Sequence, residues 1–359
     1  MKSPSGASGD PSPARPSLWA VVLAGGAGQR FWPLSTRGRP KQLLPLATSR
    51  PLIVDTLARL DGLVPHERTL ALCSYELVGP IREATGLPAS SFLTESRPRG
   101  TGPVLTRAAW EIARRDPGAA MVSLHADHFV ESAGQLRGTI SAAVEVAVRE
   151  RLLMTIAVPP DRPETGYGYL RPGVRLEAPG GRTACRVAAF VEKPGADTAA
   201  KYLRQGFLWN SGIFVWSAGH FLDEVRAWAP EIAAASARLE AGDPDAFFRD
   251  APTISVDEAV LERSDRVGCI EADFRWDDLG SWEAYARNHR PDEAGNIRQG
   301  EVHVVEASGN VAAATSGRIV LLGVENLVVV QTDTATLVMP RELSHDLKRL
   351  LGELPPELL

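Results

Sequence analysis

Residues 19–46 read WAVVLAGGAGQRFWPLSTRGRPKQLLPL, and the fold turns on how that stretch is parsed. It begins with a short apolar run, Trp19 to Leu23. It continues into a glycine cluster, Gly25, Gly26 and Gly28, and then a basic island of Arg30, Arg37, Arg39 and Lys41. No Asp or Glu lies between Asp10 and Asp55, although the whole chain has a formal charge of −5, so the positive charge is local. An apolar strand that runs out into glycines lets backbone N–H groups come close to an anion. Basic side chains beyond the turn can then neutralise several phosphate charges. The stretch predicts a loop that holds a triphosphate.

Two well-known glycine loops do not fit. The dinucleotide fingerprint G-x-G-x-x-G needs a third glycine, and Phe31 stands in its place. The Walker A loop needs Gly-Lys-Ser/Thr after a four-residue gap, which is absent. A tight turn with solvated arginines stays open on the glycines alone. The longer string G-G-x-G-x-R-x(2)-P-L-S, Gly25 to Ser35, with Pro40-Lys41 behind it, is more specific. It resembles the signature of the sugar-1-phosphate nucleotidylyltransferases, and FWPLS…PKQ resembles the members that join GTP to mannose 1-phosphate.

Composition narrows the class. At 359 residues two domains are expected. No run reaches the ~18 apolar residues of a membrane span. Residues 1–17 are rich in Ser, Pro and Gly and read as a disordered tail, not a secretory signal. Three widely spaced cysteines, Cys73, Cys185 and Cys269, argue against a disulfide framework and fit a cytoplasmic protein. Mild acidity gives no support for nucleic-acid binding. Only five of the 39 basic residues are lysine, and Lys41 and Lys193 both fall inside motifs.

Buried apolar runs at Arg68–Cys73, Met121–Leu124 and Leu152–Val158 alternate with helical patterns at Leu52–Leu60, Val104–Arg115 and Gln135–Arg149. That pattern predicts an α/β, Rossmann-like, mostly parallel sheet flanked by helices. Ligands of such sheets lie beyond the carboxyl ends of strands. Asp127 stands at one such end, where a hard carboxylate can bind Mg²⁺ or simply cap a helix. His125 and His128 flank it, a weak zinc signal without a third nitrogen or a thiolate. Glu95 can accept from both N1–H and the 2-amino group of guanine, or pair with Arg97 or Arg99. Val187–Pro194 reads as a strand carrying Glu192 and Lys193, whose alternation points them to opposite sides unless the strand bends. Asn210 suits a vicinal diol or a turn. Asp278 follows the strand expected at Val267–Phe274, and a helix cap is its alternative role. Single helices are expected at Phe221–Glu240 and Arg341–Leu351, the latter stopped by Gly352.

The resemblance covers roughly residues 19–350 and implies roles. Leu23, Ala24, Gly25, Gly26, Gly28, Glu95, Arg99, Thr101 and Ala126 would bind the nucleotide. Arg30, Lys41 and Lys193 would be catalytic. Gly168, Glu192, Lys193 and Asn210 would hold the sugar phosphate, and Asp127 with Asp278 would bind Mg²⁺. The implied reaction gives GDP-mannose and pyrophosphate. A different base or sugar, or a non-catalytic nucleotide-sugar-sensing subunit, are the alternatives. Domains are expected at 18–288 (catalytic) and 301–359 (a small left-handed β-helix with a terminal helix), joined by a linker at 289–300. A homodimer is expected through the β-helix edge, and no appended isomerase module.

Overall fold

The computed structural model describes residues 16–26, 29–36 and 38–355. Gly28, Arg37 and nearly all of the expected N-terminal tail lie outside the described residues. The main sheet has nine strands. In chain order they are β1 (Leu18–Leu23), β2 (Thr69–Ser74), β3 (Phe92–Glu95), β4 (Ala120–His125), β5 (Leu153–Val158), β6 (Gly168–Leu176), β7 (Ala184–Val191), β8 (Leu208–Ser217) and β9 (Val267–Glu271). Their spatial order is β3-β2-β1-β4-β8-β5-β9-β7-β6. The β3-β2-β1-β4 half is wholly parallel, and β7 and β8 run against the rest.

The apolar run of β1 has a simple cause. Successive side chains face opposite sides, and both sides are covered. Trp19, Val21 and Leu23 enter one core with the helix Thr101–Arg115, while Ala20 enters another with the helix Ala133–Glu150. After β1 the chain builds β2 and β3 on one side and then places β4 on the other. The crevice beyond the carboxyl ends of β1 and β4 is therefore a topological switch point, where open α/β sheets bind ligands.

Several expected elements are redrawn. Phe221–Glu240 is two helices, Ala218–Trp228 and Pro230–Glu240, because Pro230 lacks an N–H and starts a new helix. β7 stops at Val191, so Glu192 and Lys193 lie beyond the strand. The last expected helix is a 3₁₀ segment, Arg341–His345, followed by a short helix, Leu347–Leu351.

Behind the main sheet lie short stacked strands: β10 (Ile297–Gln299), β11 (Val302–Val305), β12 (Val311–Ala314), β13 (Ile319–Leu322), β14 (Leu327–Gln331) and β15 (Thr336–Pro340). β10, β12 and β14 pair in parallel, as do β11 and β13, which gives β-helical coils. Asn296 and Asn310 are buried at the coil corners, and the Asn310 amide donates to Asn296 Oδ1 at 3.0 Å and to the Val324 carbonyl at 3.0 Å. This module shares a core with the motif loop: Phe31, Leu34, Leu44 and Leu46 pack in one cluster with Ile297, Val311, Val328 and Met339.

Candidate active site

At the switch point, Lys41 starts a 3₁₀ turn that buries it to 6% exposure. Its Nζ donates to Asp127 Oδ2 at 2.9 Å and to the Asp278 carbonyl at 2.7 Å. One ammonium thus ties together residues 86 and 237 positions away in the chain. Asp278 Oδ1 accepts from the Tyr167 hydroxyl and from the Gly280 N–H, each at 2.9 Å. Arg30 donates to the Gly280 carbonyl at 3.0 Å. Arg30, Lys41, Asp127 and Asp278 therefore converge.

Burial opposes ionisation of Asp127, but the Lys41 ammonium outweighs it and the pKa falls to about 2. Asp278 is likewise lowered, against burial, chiefly by Lys41. Both are therefore carboxylates. Asp127 Oδ1 and Asp278 Oδ2 carry no hydrogen bond among the described residues, so two hard oxygen donors are available, which fits Mg²⁺. Asp277 is no rival to its neighbour, since it is spent on Arg287 at 3.0 Å and the Leu279 N–H at 2.9 Å.

His125, Asp127 and His128 place ligand atoms within 4.8 Å of one another. The Trp276 indole N–H donates to His128 Nδ1 at 3.1 Å. That assigns the proton of a neutral His128 to Nε2, the reverse of a metal-bound imidazole, whose free nitrogen donates. Burial, then His125, lowers the His128 pKa to about 3, so the ring is neutral. The arrangement favours the carboxylate oxygens over a zinc site.

A cleft of about 190 Å³ is lined by Leu23, Gly25, Gly26, Glu95, Thr101 and His125, among others. Gly26 has φ +103°, open to glycine, and a Cβ on Gly25 would meet Glu95 Oε1 at 3.1 Å. The Glu95 carboxylate has no protein partner among the described residues, and burial raises its pKa. The alternative pairing with Arg99 fails. Arg99 donates to the Phe248 carbonyl at 2.7 Å, the Arg249 carbonyl at 2.8 Å and Thr253 Oγ1 at 3.3 Å, so it braces a distant loop. The Ala126 N–H is held by the Leu23 carbonyl, and its own carbonyl accepts from the Thr56 hydroxyl at 3.4 Å. His125, one residue earlier, lines the cleft. Ala24 acts through its carbonyl, which accepts from buried Gln42 at 2.7 Å and so locks the Pro-Lys-Gln turn to the strand end.

The third group gathers at β6, β7 and β8. Lys193 takes φ +45°, a left-handed turn uncommon for a non-glycine residue. That bend brings Lys193 Nζ to 2.7 Å from Glu192 Oε1, so both reach one side. A Cβ on Gly168 would meet Glu192 Oε2 at 2.6 Å and the Asn210 Cβ at 3.3 Å, which explains the glycine. Asn210 Oδ1 accepts from the Thr155 hydroxyl at 2.7 Å and the Gly212 N–H at 3.3 Å, and its Nδ2 donates to Asp257 at 2.8 Å. Asn210 therefore keeps one free N–H and is not the donor-and-acceptor diol ligand expected. Asp257, Tyr167 and Gln42 are the site residues that sequence reading missed. Gln42 had a local signal in its place directly after Pro40-Lys41, and Tyr167 in the glycine–tyrosine run Glu164–Tyr169.

The nucleotidyl transferase family profile matches residues 19–295. A MannoseP isomerase/GMP-like beta-helix domain profile matches residues 300–354. A mannose-1-phosphate guanylyltransferase of Klebsiella pneumoniae is 35% identical over 346 residues, which is 92% of this chain and 73% of that protein. A counterpart in Salmonella typhimurium is 34% identical over 353 residues, 94% of this chain and 73% of its own length. A solved structure described as a mannose-1-phosphate geranyltransferase from Thermus thermophilus matches with a TM-score of 0.85 at 32% identity, covering 94% of this chain and 98% of that one. This chain belongs to the nucleotidyl transferase family, in its mannose-1-phosphate guanylyltransferase group, and carries a β-helix domain behind its catalytic sheet.

Proposed function

We propose that this enzyme transfers GMP from GTP to α-D-mannose 1-phosphate, giving GDP-mannose and pyrophosphate. The observation that carries the reading is Lys41 bridging Asp127 and Asp278 at the switch point, with Arg30 on the adjoining carbonyl. An oxygen of the sugar phosphate forms the new bond to the α-phosphorus of GTP as the bond to the β-phosphate oxygen breaks, and pyrophosphate leaves with that electron pair. The attacking oxygen is already anionic, so no general base is needed. The chain's task is positioning and charge neutralisation. Arg30 and Lys41 face the triphosphate and offset the charge that builds on the leaving pyrophosphate. Lys193 holds the sugar phosphate for in-line attack, and Glu192 accepts from hexose hydroxyls. Glu95 accepts the two donors of the guanine edge, which adenine cannot offer. Asp127 and Asp278 would hold Mg²⁺, which when bound neutralises phosphate oxygens.

Among the described residues no helix is long and apolar enough to cross a membrane. Cys73, Cys185 and Cys269 are free and buried, and such unpaired thiols support a cytoplasmic setting. The exposed Val305, Val320 and Leu322 on β11 and β13 support a homodimer, and light scattering that returned a monomer would reject it. The decisive assay is pyrophosphate release with GTP, ATP, UTP and dTTP against a set of hexose 1-phosphates. GTP with mannose 1-phosphate should give the highest kcat/KM. Better use of ATP would overturn the role given to Glu95.

A further inference from the structure

Asp257 is the one acid near the sugar end whose surroundings the reaction, as described, leaves unexplained. It opens a π-helical turn, Asp257–Leu261, a conformation that is rare and often marks functional positions. It is only partly buried, and the Asn210 amide is its sole hydrogen-bond donor from another residue among the described ones. Its charged neighbours are Glu192 and Lys193. Lys193 is already shared with Glu192 at 2.7 Å. The next acid, Glu258, is satisfied by the Ser255 hydroxyl at 2.9 Å and so does not compete for the same role.

Two carboxylates thus face one lysine and one spare amide N–H. That is a surplus of acceptors, and a polyol is the ligand that brings the missing donors. Burial first, and then Glu192, push the Asp257 carboxyl up to about 7. A carboxyl so placed lacks the donors that would hold its charge, and hydroxyl groups of a bound hexose would supply them. Asn210 alone cannot do this work, because its oxygen is fully engaged by Thr155 and Gly212.

We propose that Asp257 is a hexose-binding residue which accepts a sugar hydroxyl alongside Glu192, and so helps decide which hydroxyl configuration the site takes. The assignment rests on the functional reading above, since it presumes a hexose 1-phosphate beside Lys193. Three features carry it: the Asn210 clamp, the unshared carboxylate oxygen and the closeness of Glu192 and Lys193.

The test uses Asp257→Asn and Asp257→Ala in the full chain, with steady-state pyrophosphate release. Substrates are mannose 1-phosphate and its 2-, 3-, 4- and 6-deoxy analogues. The asparagine variant can still accept from Asn210 but loses the second acceptor. It should raise the KM for mannose 1-phosphate about ten- to a hundredfold while the KM for GTP stays within about twofold. One deoxy analogue, lacking the hydroxyl that Asp257 meets, should bind the variant and the wild type alike. An asparagine variant with the wild-type KM for mannose 1-phosphate, or one that loses the same factor with every analogue, overturns the assignment and leaves Asp257 as a clamp for Asn210 only. Thermal unfolding of both variants identifies any loss that comes from the fold. A wild type that turns over GTP with no mannose 1-phosphate overturns the functional reading and this assignment together, whereas an active wild type without coupling overturns this assignment alone.

Discussion

Lys41 illustrates how one side chain can hold a site together. Its compact ammonium sits between an acid and a carbonyl from distant strand ends, in a space where arginine's planar fork has no matching geometry. Lys41→Met should lower kcat about 10²- to 10³-fold, the scale of losing one preorganised donor to developing charge. Lys41→Arg should not restore it. Rapid-quench turnover with both variants checks this, and near-normal kcat in the methionine variant would remove Lys41 from the chemistry. Glu95 yields a second expectation, about specificity. Wild type should prefer GTP to ITP, which lacks the 2-amino donor, and Glu95→Gln should narrow that preference by about ten- to a hundredfold. Because burial raises the Glu95 pKa, the ionised acceptor is lost on acidification sooner than an ordinary carboxylate. The KM for GTP should therefore climb as pH falls, and the climb should flatten in Glu95→Gln. Asp257 was not singled out, while Lys41, Lys193, Asp127, Glu192 and Asp278 were legible because they sit in contiguous strings. The bracing by Arg99 was not, because the carbonyls it satisfies belong to residues 248 and 249, which no local pattern links to it.

At the level of elements, the apolar runs announced the buried strands, since strands covered on both faces need continuous apolar sequence. Boundaries were less legible where one residue overrides the pattern. Pro230 splits a helix that periodicity would continue, and the left-handed Lys193 ends β7 early enough to turn two successive residues to the same side. Gly168 marks the tightest approach between these elements. Gly168→Ala would drive a Cβ to 2.6 Å from Glu192 Oε2, so the Glu192 carboxylate must move. We expect a raised KM for mannose 1-phosphate, a KM for GTP within about twofold, and a stability loss of about 1–3 kcal/mol. Urea unfolding with parallel kinetics checks both halves, and an unchanged sugar KM would contradict the packing described.

Over the whole molecule, the catalytic sheet and the β-helix are not independent beads. The cluster that buries Phe31, Leu34, Leu44 and Leu46 also buries Val311, Val328 and Met339, so the β-helix forms the back wall of the loop that carries Arg30 and Lys41. Arg341 fastens this contact with two bonds to Glu283, at 2.7 and 3.0 Å, and a third to the Gly309 carbonyl at 3.0 Å. Sequence alone displayed the short β runs, but not that their inner faces close over a loop more than two hundred residues earlier, since such contacts have no periodic signature. Asn310→Ala should remove the side-chain bonds to Asn296, Val324 and Leu327; the Asn296 oxygen keeps the backbone N–H of residue 310 and the Val324 carbonyl keeps Ser308, so the Leu327 N–H is the group left without its partner, at about 1–3 kcal/mol of stability. Arg341→Ala should lower the unfolding midpoint as well, and should lower kcat in step through the loop it braces. Equal activity in Arg341→Ala below its midpoint would show the wall to be structural only.

The most direct measurement is a Mg²⁺ titration of pyrophosphate release from GTP and mannose 1-phosphate, run on wild type and on Asp278→Asn. The expected result is a half-saturating Mg²⁺ concentration at least about tenfold higher in the variant, with kcat reduced. Superimposable titrations with equal kcat would contradict the convergence of Lys41, Asp127 and Asp278 on one phosphate-binding centre.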